Sequence, residues 1–394
     1  MRSVSMMKPP TTDTTLNGLD ALRDRITSHV ADLERAQLFR TLRPPRGVDL
    51  SSNDYLGLAR HPRVQERMIE AVRAEGCGST GSRLLRGERA CFSDLERAFA
   101  AFKGVERSLY FSSGYLANLA VLTTLPEPGD LIVSDERNHA SLIDGTRLSA
   151  ACRAIAPHND ADALARILDE PRAGQSFVVV ESLFSMDGDI APLAQYAAVC
   201  RSRGAALIVD EAHAVGIYGE RGSGLVEALD VGRDVLVTVN TAGKALGVSG
   251  AFVAGPAWAI EYLVQRARPF IFSTAAPPAV AAAIDASLSL VTAEPERRGT
   301  LLRLARHLRD RLVAEGVAVP RGESQIIPVI VGENDRALGV ADRMQARGFD
   351  VRAIRPPTVA PGTARLRIAV NVGLDEATLD RFALALASEL RSVT

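Results

Sequence analysis

Apolar and polar positions alternate with two different periods over most of the chain, from about residue 60 to residue 255. Stretches with the spacing of an amphipathic helix are separated by short runs rich in β-branched residues. The helical stretches cover 62–75, 93–103, 115–124, 139–149, 160–169 and 193–202. The apolar runs predict buried strands at 107–111, 131–134, 152–156, 176–182, 205–210, 234–239 and 249–254. Strands that alternate with helices predict an α/β fold, in which a mostly parallel sheet has helices on both faces.

The N-terminal part of the chain does not follow this pattern. Residues 1–16 show no hydrophobic periodicity, and we expect them to form a disordered tail. Residues 17–50 should hold an N-terminal helix and an arm, because helical spacing extends through 17–42 and stops near two consecutive prolines.

The C-terminal part also departs from the alternation. Two long helical stretches at 256–267 and 277–315 are followed by the order strand, helix, strand, strand, helix. This order is typical of a small α+β domain. The pattern therefore predicts a large domain over 51–290 and a small C-terminal domain over 291–394.

Composition excludes several classes of protein. The 394 residues include 46 basic and 47 acidic side chains, a net charge of −1, which argues against a binder of nucleic acid or another polyanion. The sequence has neither an apolar run long enough to span a bilayer nor the pattern of a secretory signal, so we expect a cytoplasmic protein. The cysteines and histidines lack metal-ligand spacing, and no metal is expected.

Lysine is unusually rare in this chain. Of the 46 basic residues only Lys8, Lys103 and Lys244 are lysines. Because arginine stays protonated and cannot act as an amine nucleophile, any lysine chemistry must use one of these three. Lys8 lies in the predicted tail and Lys103 at the end of a predicted helix. Lys244 instead lies between two β-branched runs, where a functional group is expected.

Polar side chains follow five of the predicted strands. In open α/β sheets, ligands bind beyond the carboxyl ends of the strands, so these side chains should lie at one edge of the sheet. The segments that follow the strands are SSGY (112–115), DERNH (135–139), SLFS (182–185), DEAH (210–213) and NTAGK (240–244).

Pyridoxal phosphate is a cofactor that uses all of these groups together. Its aldehyde forms a Schiff base with a lysine, and its pyridine nitrogen needs a carboxylate to stay protonated. Lys244 and Asp210 match these two needs, His139 can face the ring, and the small residues before a helix at 112–115 suit a phosphate. Each signal alone has an ordinary structural explanation, since aspartates at strand ends are common turn or cap residues.

Three other motif matches do not fit their context. The segment GCGSTG (76–81) has dinucleotide-binding spacing but follows a helix, whereas that fingerprint follows a strand. The Gly-Lys pair at 243–244 lacks the glycine and the hydroxyl residue of a phosphate-binding loop. The segment GVSG (247–250) lacks the spacing of a hydrolase nucleophile.

From about Leu33 to the C-terminus, the chain resembles the α-oxoamine synthase family of fold-type-I pyridoxal-phosphate enzymes. The shared motifs are SNDYLG (52–57), GSTGSR (78–83), NHAS (138–141), FSMDG (184–188), DEAH (210–213), GK (243–244) and GVSG (247–250). Two further segments, IRPPTV (354–359) and GTARLR (362–367), are similar to members that use L-alanine and a pimeloyl thioester rather than glycine.

The resemblance implies a reaction and its main residues. L-Alanine would condense with pimeloyl-CoA or a pimeloyl acyl carrier protein, with release of carbon dioxide and the free thiol carrier. Lys244 would bind the cofactor and move the α-proton, Asp210 would hold the pyridine nitrogen, and Arg367 would clamp the alanine carboxylate. His139 and His213 would complete the catalytic set, His139 by stacking on the ring and contacting substrate.

The resemblance also implies supporting roles and a homodimer with active sites at the subunit interface. Further cofactor contacts would come from Gly114, Tyr115, Ser185, His213 and Thr241, and from Ser273 and Thr274 of the other subunit. The substrate contacts would be Arg40, Asn53, His139, Thr358 and Arg367. Ala242 departs from the family, which usually has an aromatic residue there, so packing behind the cofactor should be looser.

Two alternatives remain open from the sequence. A glycine- or serine-using relative, such as glycine C-acetyltransferase, would share the same chemistry, and the fit of the alanine methyl group near Lys244 distinguishes it. A regulatory protein that kept the fold would be expected to lose the lysine, but Lys244 and Asp210 are both present.

Overall fold

The computed structural model describes residues 13–392, and its first helix, α1, covers Asp13–Arg35. The expectation of a disordered tail over 1–16 is therefore wrong for its last four residues, which begin this helix. The other residues of that predicted tail lie outside the described part of the chain.

The predicted helix over 17–42 ends earlier than its apolar spacing indicates. It ends at Arg35, and Gln37 takes a positive φ of 57°. The N–H groups of Leu38 and Phe39 both turn back to the carbonyl of Leu33, which closes the helix end. The chain then continues as an extended arm to a short strand, β1 (Val48–Asp49).

A seven-stranded sheet forms the centre of the molecule. Its strands are β2 (Arg107–Phe111), β3 (Leu131–Asp135), β4 (Cys152–Ala156), β5 (Ser176–Glu181), β6 (Ala206–Asp210), β7 (Val235–Thr241) and β8 (Ala251–Gly255). They lie in the order β2-β8-β7-β6-β5-β3-β4, in which only β8 runs antiparallel to its neighbours. The predicted mostly parallel sheet is confirmed.

Helices precede, separate and follow the strands, and most of the strands alternate with helices as the pattern predicts. They are α2 (Pro62–Glu75), α3 (Ala90–Lys103), α4 (Gly114–Thr124), α5 (Ala140–Leu148), α6 (Ala161–Asp169), α7 (Leu193–Arg203), α8 (Leu225–Ala228), α9 (Ala257–Arg266), α10 (Arg268–Ile271), α11 (Pro278–Ala293) and α12 (Glu296–Ala314). The long helix predicted over 277–315 is two helices, because Pro295 interrupts the backbone between them. None of the helices within residues 13–392 combines the length and apolarity that crossing a bilayer requires.

The sheet is covered by helices on both faces. Along β6, Leu207 and Val209 belong to one apolar cluster and Ile208 to another, because successive side chains of a strand point to opposite faces. The second cluster includes Val121 of α4 and Ile260 of α9. The strands are thus buried on both faces, which explains why they appear as continuous apolar runs.

A smaller antiparallel sheet follows in the C-terminal part. Its strands β9 (Ile326–Gly332), β11 (Ala353–Ile354) and β12 (Ala364–Ala369) lie in the order β11-β12-β9. Helices α13 (Asn334–Ala346) and α14 (Glu376–Arg391) accompany them, and β10 (Phe349–Asp350) pairs with β1. Leu366 and Ile368 of β12 join the apolar cluster of the large sheet. The domain boundary near 290 stays a prediction.

Candidate active site

The carboxyl ends of β5, β6 and β7 bring the predicted polar residues together. Asp210 is the last residue of β6, and its carboxylate is buried. One of its oxygens, Oδ1, accepts a hydrogen bond of 2.8 Å from the backbone N–H of Ala212. The other, Oδ2, accepts one of 2.7 Å from the side-chain amide of Asn118 on α4. Two neutral donors therefore orient this carboxylate.

Asn118 is a site residue that the sequence reasoning missed. Its amide nitrogen also lies 2.9 Å from the hydroxyl of Ser141, next to the start of α5. Asn118 is buried between apolar residues in the middle of α4, and an amide side chain at such a position was the signal that could have found it.

Lys244 is one end of a chain of hydrogen bonds through the site. Its amine Nζ lies 2.8 Å from Nε2 of His213, and Nδ1 of His213 lies 2.8 Å from the hydroxyl of Tyr55. The Tyr55 hydroxyl in turn donates to Oδ1 of Asn53 over 3.0 Å. Since an ammonium can only donate, we assign the acceptor role to Nε2 and the proton to Nδ1 of His213.

The pKa values of both Lys244 and His213 are lowered, which favours the neutral form of each side chain. Burial lowers the pKa of Lys244 to about 8, although the nearby carboxylates of Asp210 and Glu181 oppose this shift. Burial, with the positive charges of Lys244 and Arg367, lowers the pKa of His213 well below its ordinary value. A lysine amine that loses its proton near pH 8 can act as a base or nucleophile.

Arg367 on β12 reaches the same chain of hydrogen bonds from the small sheet. Its Nη2 donates to the Tyr55 hydroxyl and to Oδ1 of Asn53, each over 3.1 Å, and its Nε donates to the carbonyl of Ser185 over 2.5 Å. Within residues 13–392, no group accepts a hydrogen bond from its Nη1. The guanidinium is therefore fixed by the protein and still has N–H groups free for an anion.

His139 caps the start of α5 beside Asp210. Its Nδ1 accepts a hydrogen bond of 3.2 Å from the backbone N–H of Ser141 and lies 2.8 Å from the Ser141 hydroxyl. Burial lowers the pKa of His139, and the charge of Lys244 adds to this, while Asp210 acts in the opposite direction. The ring is thus held in the neutral form with Nε2 left for a ligand.

The turn between β2 and α4 offers backbone donors. The side chain of Ser113 caps the helix by accepting from the N–H of Leu116, and the N–H groups of Gly114 and Tyr115 find no acceptor in the described chain. Thr241 lies beside this helix start, since a Cβ added to Gly114 would meet it at 3.8 Å. An anion at this position would be held by the helix N-terminus.

Glu181 is a second buried carboxyl group that the sequence reasoning missed. It is the last residue of β5 and pairs in register with Asp210 on β6. Burial and the adjacent charge of Asp210 raise the pKa of Glu181 to about 8. The signal in the sequence was an acidic residue at the end of an apolar run.

Ser273 and Thr274 lie together next to the turn between β2 and α4. They line a small cavity with Ser112 and with Arg83, and Thr274 is exposed in the single chain. Their predicted role toward a second subunit stays a prediction.

Arg40 and Thr358 are brought near each other but apart from Lys244. Arg40 is exposed and donates over 3.2 Å to the carbonyl of Pro356, two residues before Thr358. In the described part of the chain, no contact joins either residue to Lys244. Their contact with an acyl substrate stays a prediction.

Ala242 is fully buried in the turn that carries Lys244. Its N–H donates to Gly250 over 2.8 Å, and its carbonyl accepts from Val248 over 2.9 Å. The turn is therefore held by its backbone. Looser packing at this position stays a prediction.

The residues present fit pyridoxal phosphate. The site combines an amine that is poised to lose its proton, an oriented carboxylate, a neutral histidine and free backbone donors at a helix start. The buried oxygen Oε1 of Glu181 and the Oδ1 atom of Asn118 also lack partners among the described residues. Unpartnered buried polar atoms of this kind indicate a place for a polar ligand.

Comparison with curated proteins finds relatives along most of the chain. The model of the family described as aminotransferase class I and II matches residues 45–386. An 8-amino-7-oxononanoate synthase of Anaeromyxobacter dehalogenans is 48% identical over 343 residues, which cover 87% of this chain and 86% of the relative. That of Geobacter sulfurreducens is 44% identical over 379 residues, which cover 92% and 97%.

Solved structures share the fold of this chain, and one of the two described below holds pyridoxal phosphate. A serine palmitoyltransferase from S. paucimobilis, solved with a pyridoxal-phosphate adduct of myriocin, has a TM-score of 0.86 and 29% identity, covering 98% of this chain and 99% of that one. An 8-amino-7-oxononanoate synthase of Francisella tularensis has a TM-score of 0.78 and 28% identity, covering 88% and 98%. The predicted fold type and the predicted cofactor are confirmed.

Proposed function

Since the chain belongs to the 8-amino-7-oxononanoate synthases, within the class I and II aminotransferase family, we propose that it joins L-alanine to a pimeloyl thioester. It is a pyridoxal-phosphate-dependent acyltransferase of biotin biosynthesis. The products would be 8-amino-7-oxononanoate, carbon dioxide and the free thiol carrier. The observation that carries the proposal is the meeting of Lys244, Asp210 and Arg367 at one buried site.

Pyridoxal phosphate, when bound, supplies a ring that accepts the electron pair left when a bond at the α-carbon of the amino acid breaks. Asp210 would hold the pyridine nitrogen of this ring. The free N–H groups of Gly114 and Tyr115 would bind the phosphate. Thr241 beside them adds a hydroxyl group.

Lys244 moves the proton at the α-carbon. With a pKa of about 8, its amine is uncharged in a useful fraction of molecules near neutral pH, and it can accept a proton at Nζ. His213, 2.8 Å away and neutral, receives a hydrogen bond from that amine and holds it in place.

Arg367 orients the amino acid. Its free Nη1 donors bind the alanine carboxylate, while Ser185, Tyr55 and Asn53 fix the rest of the guanidinium. A carboxylate fixed on one side would determine which bond of the α-carbon is exposed to the chemistry that the cofactor supplies. Positioning of this kind is the main way in which a protein selects one reaction of a versatile cofactor.

A matrix of amino acids and acyl donors tests the proposal on purified, cofactor-loaded protein. We expect release of carbon dioxide from L-alanine only when pimeloyl-CoA or the pimeloyl acyl carrier protein is present. Comparison of the two donors at equal concentration identifies the natural carrier. Absence of 8-amino-7-oxononanoate with both donors contradicts the proposal.

A second function is favoured by one observation, the high structural similarity to serine palmitoyltransferase. Under that alternative, serine or glycine replaces alanine, and the acyl donor changes with it. The same assay decides, since a wide preference for glycine or serine over alanine overturns the first proposal and supports the second.

We also propose that the active enzyme is a homodimer. Phe272, next to Ser273 and Thr274, leaves 70% of its surface exposed in the single chain. Further large apolar side chains are exposed along α1, among them Leu19 and Ile26, and extensive apolar surface of this kind is typical of a face that another molecule covers. In a dimer, Ser273 and Thr274 would reach the phosphate of the neighbouring subunit. Cytoplasmic residence stays a prediction.

A further inference from the structure

Tyr55 is a fully buried residue whose hydroxyl lies where three polar side chains of the site meet. The hydroxyl oxygen lies 2.8 Å from Nδ1 of His213, 3.0 Å from Oδ1 of Asn53 and 3.1 Å from Nη2 of Arg367. The backbone carbonyl of Tyr55 accepts a hydrogen bond of 3.0 Å from Val372, just after β12. The hydroxyl oxygen therefore has a fixed place, while its proton can point to either of two acceptors, Asn53 or His213.

We propose that the Tyr55 hydroxyl is a two-way switch, which lets His213 hold the amine of Lys244 with a hydrogen bond both when that amine is charged and when it is neutral. The inference rests on the proposed function only in taking Lys244 as the group that moves the proton. Tyr55 acts on Lys244 through His213, and it is therefore a positioning residue.

When the amine is charged, all hydrogen bonds of the chain run away from Lys244. The ammonium donates to Nε2 of His213 over 2.8 Å, so Nδ1 carries the ring proton and donates to the Tyr55 oxygen. The hydroxyl then donates to Oδ1 of Asn53. Tyr55 is the one partner that the described chain offers to Nδ1, so without the hydroxyl this N–H would be buried and unpaired, which is costly.

When the amine is neutral, the same groups allow the chain to reverse. Nε2 of His213 then carries the ring proton and donates to Nζ of Lys244, and the Tyr55 hydroxyl turns to donate to Nδ1. Oδ1 of Asn53 keeps a donor, because Nη2 of Arg367 also lies 3.1 Å from it. The reversal therefore leaves each of these groups paired, and the two forms differ by one proton, which is exchanged with water.

A reversible chain suits a lysine that has to accept a proton and give it back. A histidine with a fixed tautomer would hold only one form of the amine, and a base that lost its hydrogen bond at each change would lose its position. The ring of His213 stays neutral in both forms, because burial and the charges of Lys244 and Arg367 lower its pKa well below the ordinary value.

Charged or titratable groups on neighbouring elements also act on Lys244 and His213. They are Asp210 at the end of β6, Glu181 at the end of β5, Arg367 on β12 and His139 before α5. The pKa of Glu181 is also about 8, so it titrates together with the lysine. Since none of these groups is altered in Tyr55→Phe, the difference between the two proteins isolates the hydroxyl.

The test uses the scarcity of lysine in this chain. When the whole chain, free of cofactor, is made with lysine that carries carbon-13 at its ε-carbon, only Lys8, Lys103 and Lys244 give signals. Nuclear magnetic resonance follows each signal through a pH titration, and the signal missing from Lys244→Ala identifies the site. We expect the pKa of Lys244 to be lower by about 1 or more in Tyr55→Phe than in the unmodified chain, because the charged amine then requires an unpaired buried N–H.

Tyr196→Phe is the matched control for the loss of a buried tyrosine hydroxyl. Tyr196 on α7 is 2% exposed, and in the described chain no contact joins it to Lys244 or His213. The pKa of Lys244 should be the same in this variant as in the unmodified chain. The signal of Lys103, whose amine is buried against Glu211, reports whether each variant is folded.

A second measurement follows the tautomer of His213 directly. Nitrogen-15 spectra of histidine-labelled protein distinguish a proton on Nδ1 from one on Nε2, and the signals missing from His213→Gln identify the residue. In the unmodified chain, we expect the proton on Nδ1 at about pH 6.5 and on Nε2 at about pH 9.5, below and above the titration of Lys244. Tyr55→Phe should hold the proton on Nε2 at both pH values.

Two results overturn the inference. One is a His213 tautomer that stays the same across the titration of Lys244 in the unmodified chain, a measurement that does not depend on whether any variant folds. The other is an unchanged pKa of Lys244 in folded Tyr55→Phe. Neither measurement uses cofactor, alanine or thioester, so failure of the proposed reaction remains a separate result.

Discussion

At the scale of single residues, Lys244 is the group on which the chemistry depends. Lys244→Ala removes the only amine that the structure places in the site. We therefore expect the absorption near the edge of the visible range, which loaded protein shows when the aldehyde is joined to a lysine, to be absent from the variant. Borohydride reduction followed by peptide mapping checks the position, because the other two lysines, Lys8 and Lys103, lie on different peptides. A label on either of them contradicts the assignment.

The negative charge of Asp210 can be removed without removing the hydrogen bond that its side chain accepts from Ala212. Asp210→Asn can still accept from the N–H of Ala212, so the protein should fold and bind the cofactor. Without the negative charge, the rate should fall about 100-fold or more, a barrier increase of about 3 kcal/mol. Single-turnover kinetics on loaded protein measure this loss. Near-normal turnover means that another group holds the ring nitrogen.

The residues that sequence reasoning could find differ in kind from those it missed. Lys244 and Asp210 stand directly after apolar runs, so a local pattern was enough. Glu181 also ends a strand, but its significance depends on β5 lying next to β6, which is a property of the folded sheet. Tyr55 acquires its role through contacts with His213 and Arg367, which are distant in sequence. Local patterns carry no information on such pairs.

Lys103 is a residue whose local pattern suggested an ordinary role and whose structural role depends on a contact distant in sequence. Its place at the end of α3 indicates an ordinary basic residue near a helix C-terminus. In the structure its amine is buried and lies 2.5 Å from the carboxylate of Glu211, the residue after Asp210. Lys103 is therefore a structural partner of the DEAH segment and is unavailable to the cofactor.

At the scale of elements, His158 contacts two aspartates and thereby holds the loop after β5 in place. Nδ1 of His158 lies 2.9 Å from Asp135 at the end of β3, and its Nε2 lies 2.6 Å from Asp189. The loop fastened in this way contains Ser185, whose carbonyl holds Arg367. The ion pairs of His158 thus connect the position of Arg367 with the edge of the large sheet.

His158 should make stability depend on pH in the alkaline range. Although burial opposes it, hydrogen bonding to Asp135 and Asp189 raises the pKa of His158 to about 9. Because the folded pKa exceeds the unfolded value, the stabilisation is complete below pH 6.5 and is lost as pH rises through 9. His158→Gln should cost up to about 3 kcal/mol at pH 6 and much less at pH 10.

Urea denaturation at pH 6 and pH 10 measures this difference. His307→Gln is the control, because its partner Asp380 is exposed and surface pairs contribute little. We expect the control to behave alike at both pH values. A deficit in His158→Gln that is equally large at pH 10 shows that packing, and not the charge of His158, stabilises the loop.

At the scale of the whole molecule, the single chain exposes an apolar surface along α1 that is expected to be covered by another subunit. Helix α1 has an apolar stripe along its length, in which Leu19 is 64% exposed and Ile26 is 52% exposed. Its apolar spacing predicts a buried face, and nothing in the described chain buries it. An exposed apolar stripe along a helix is typical of a surface between subunits, which agrees with the proposed dimer.

Mixing two defective variants tests whether each active site is shared between subunits. Lys244→Ala and the double variant Ser273→Ala/Thr274→Ala should each be impaired alone. If Ser273 and Thr274 serve the neighbouring subunit, a mixed dimer has one site with both defects and one with neither. Equal co-refolding should then restore about a quarter of the normal activity, since half of the dimers are mixed and each has one intact site. Lys244→Ala co-refolded with Asp210→Asn is the control and should restore nothing, because both residues belong to the same subunit's site. Activity of the test mixture no higher than the average of its parents shows that Ser273 and Thr274 act within their own chain or not at all.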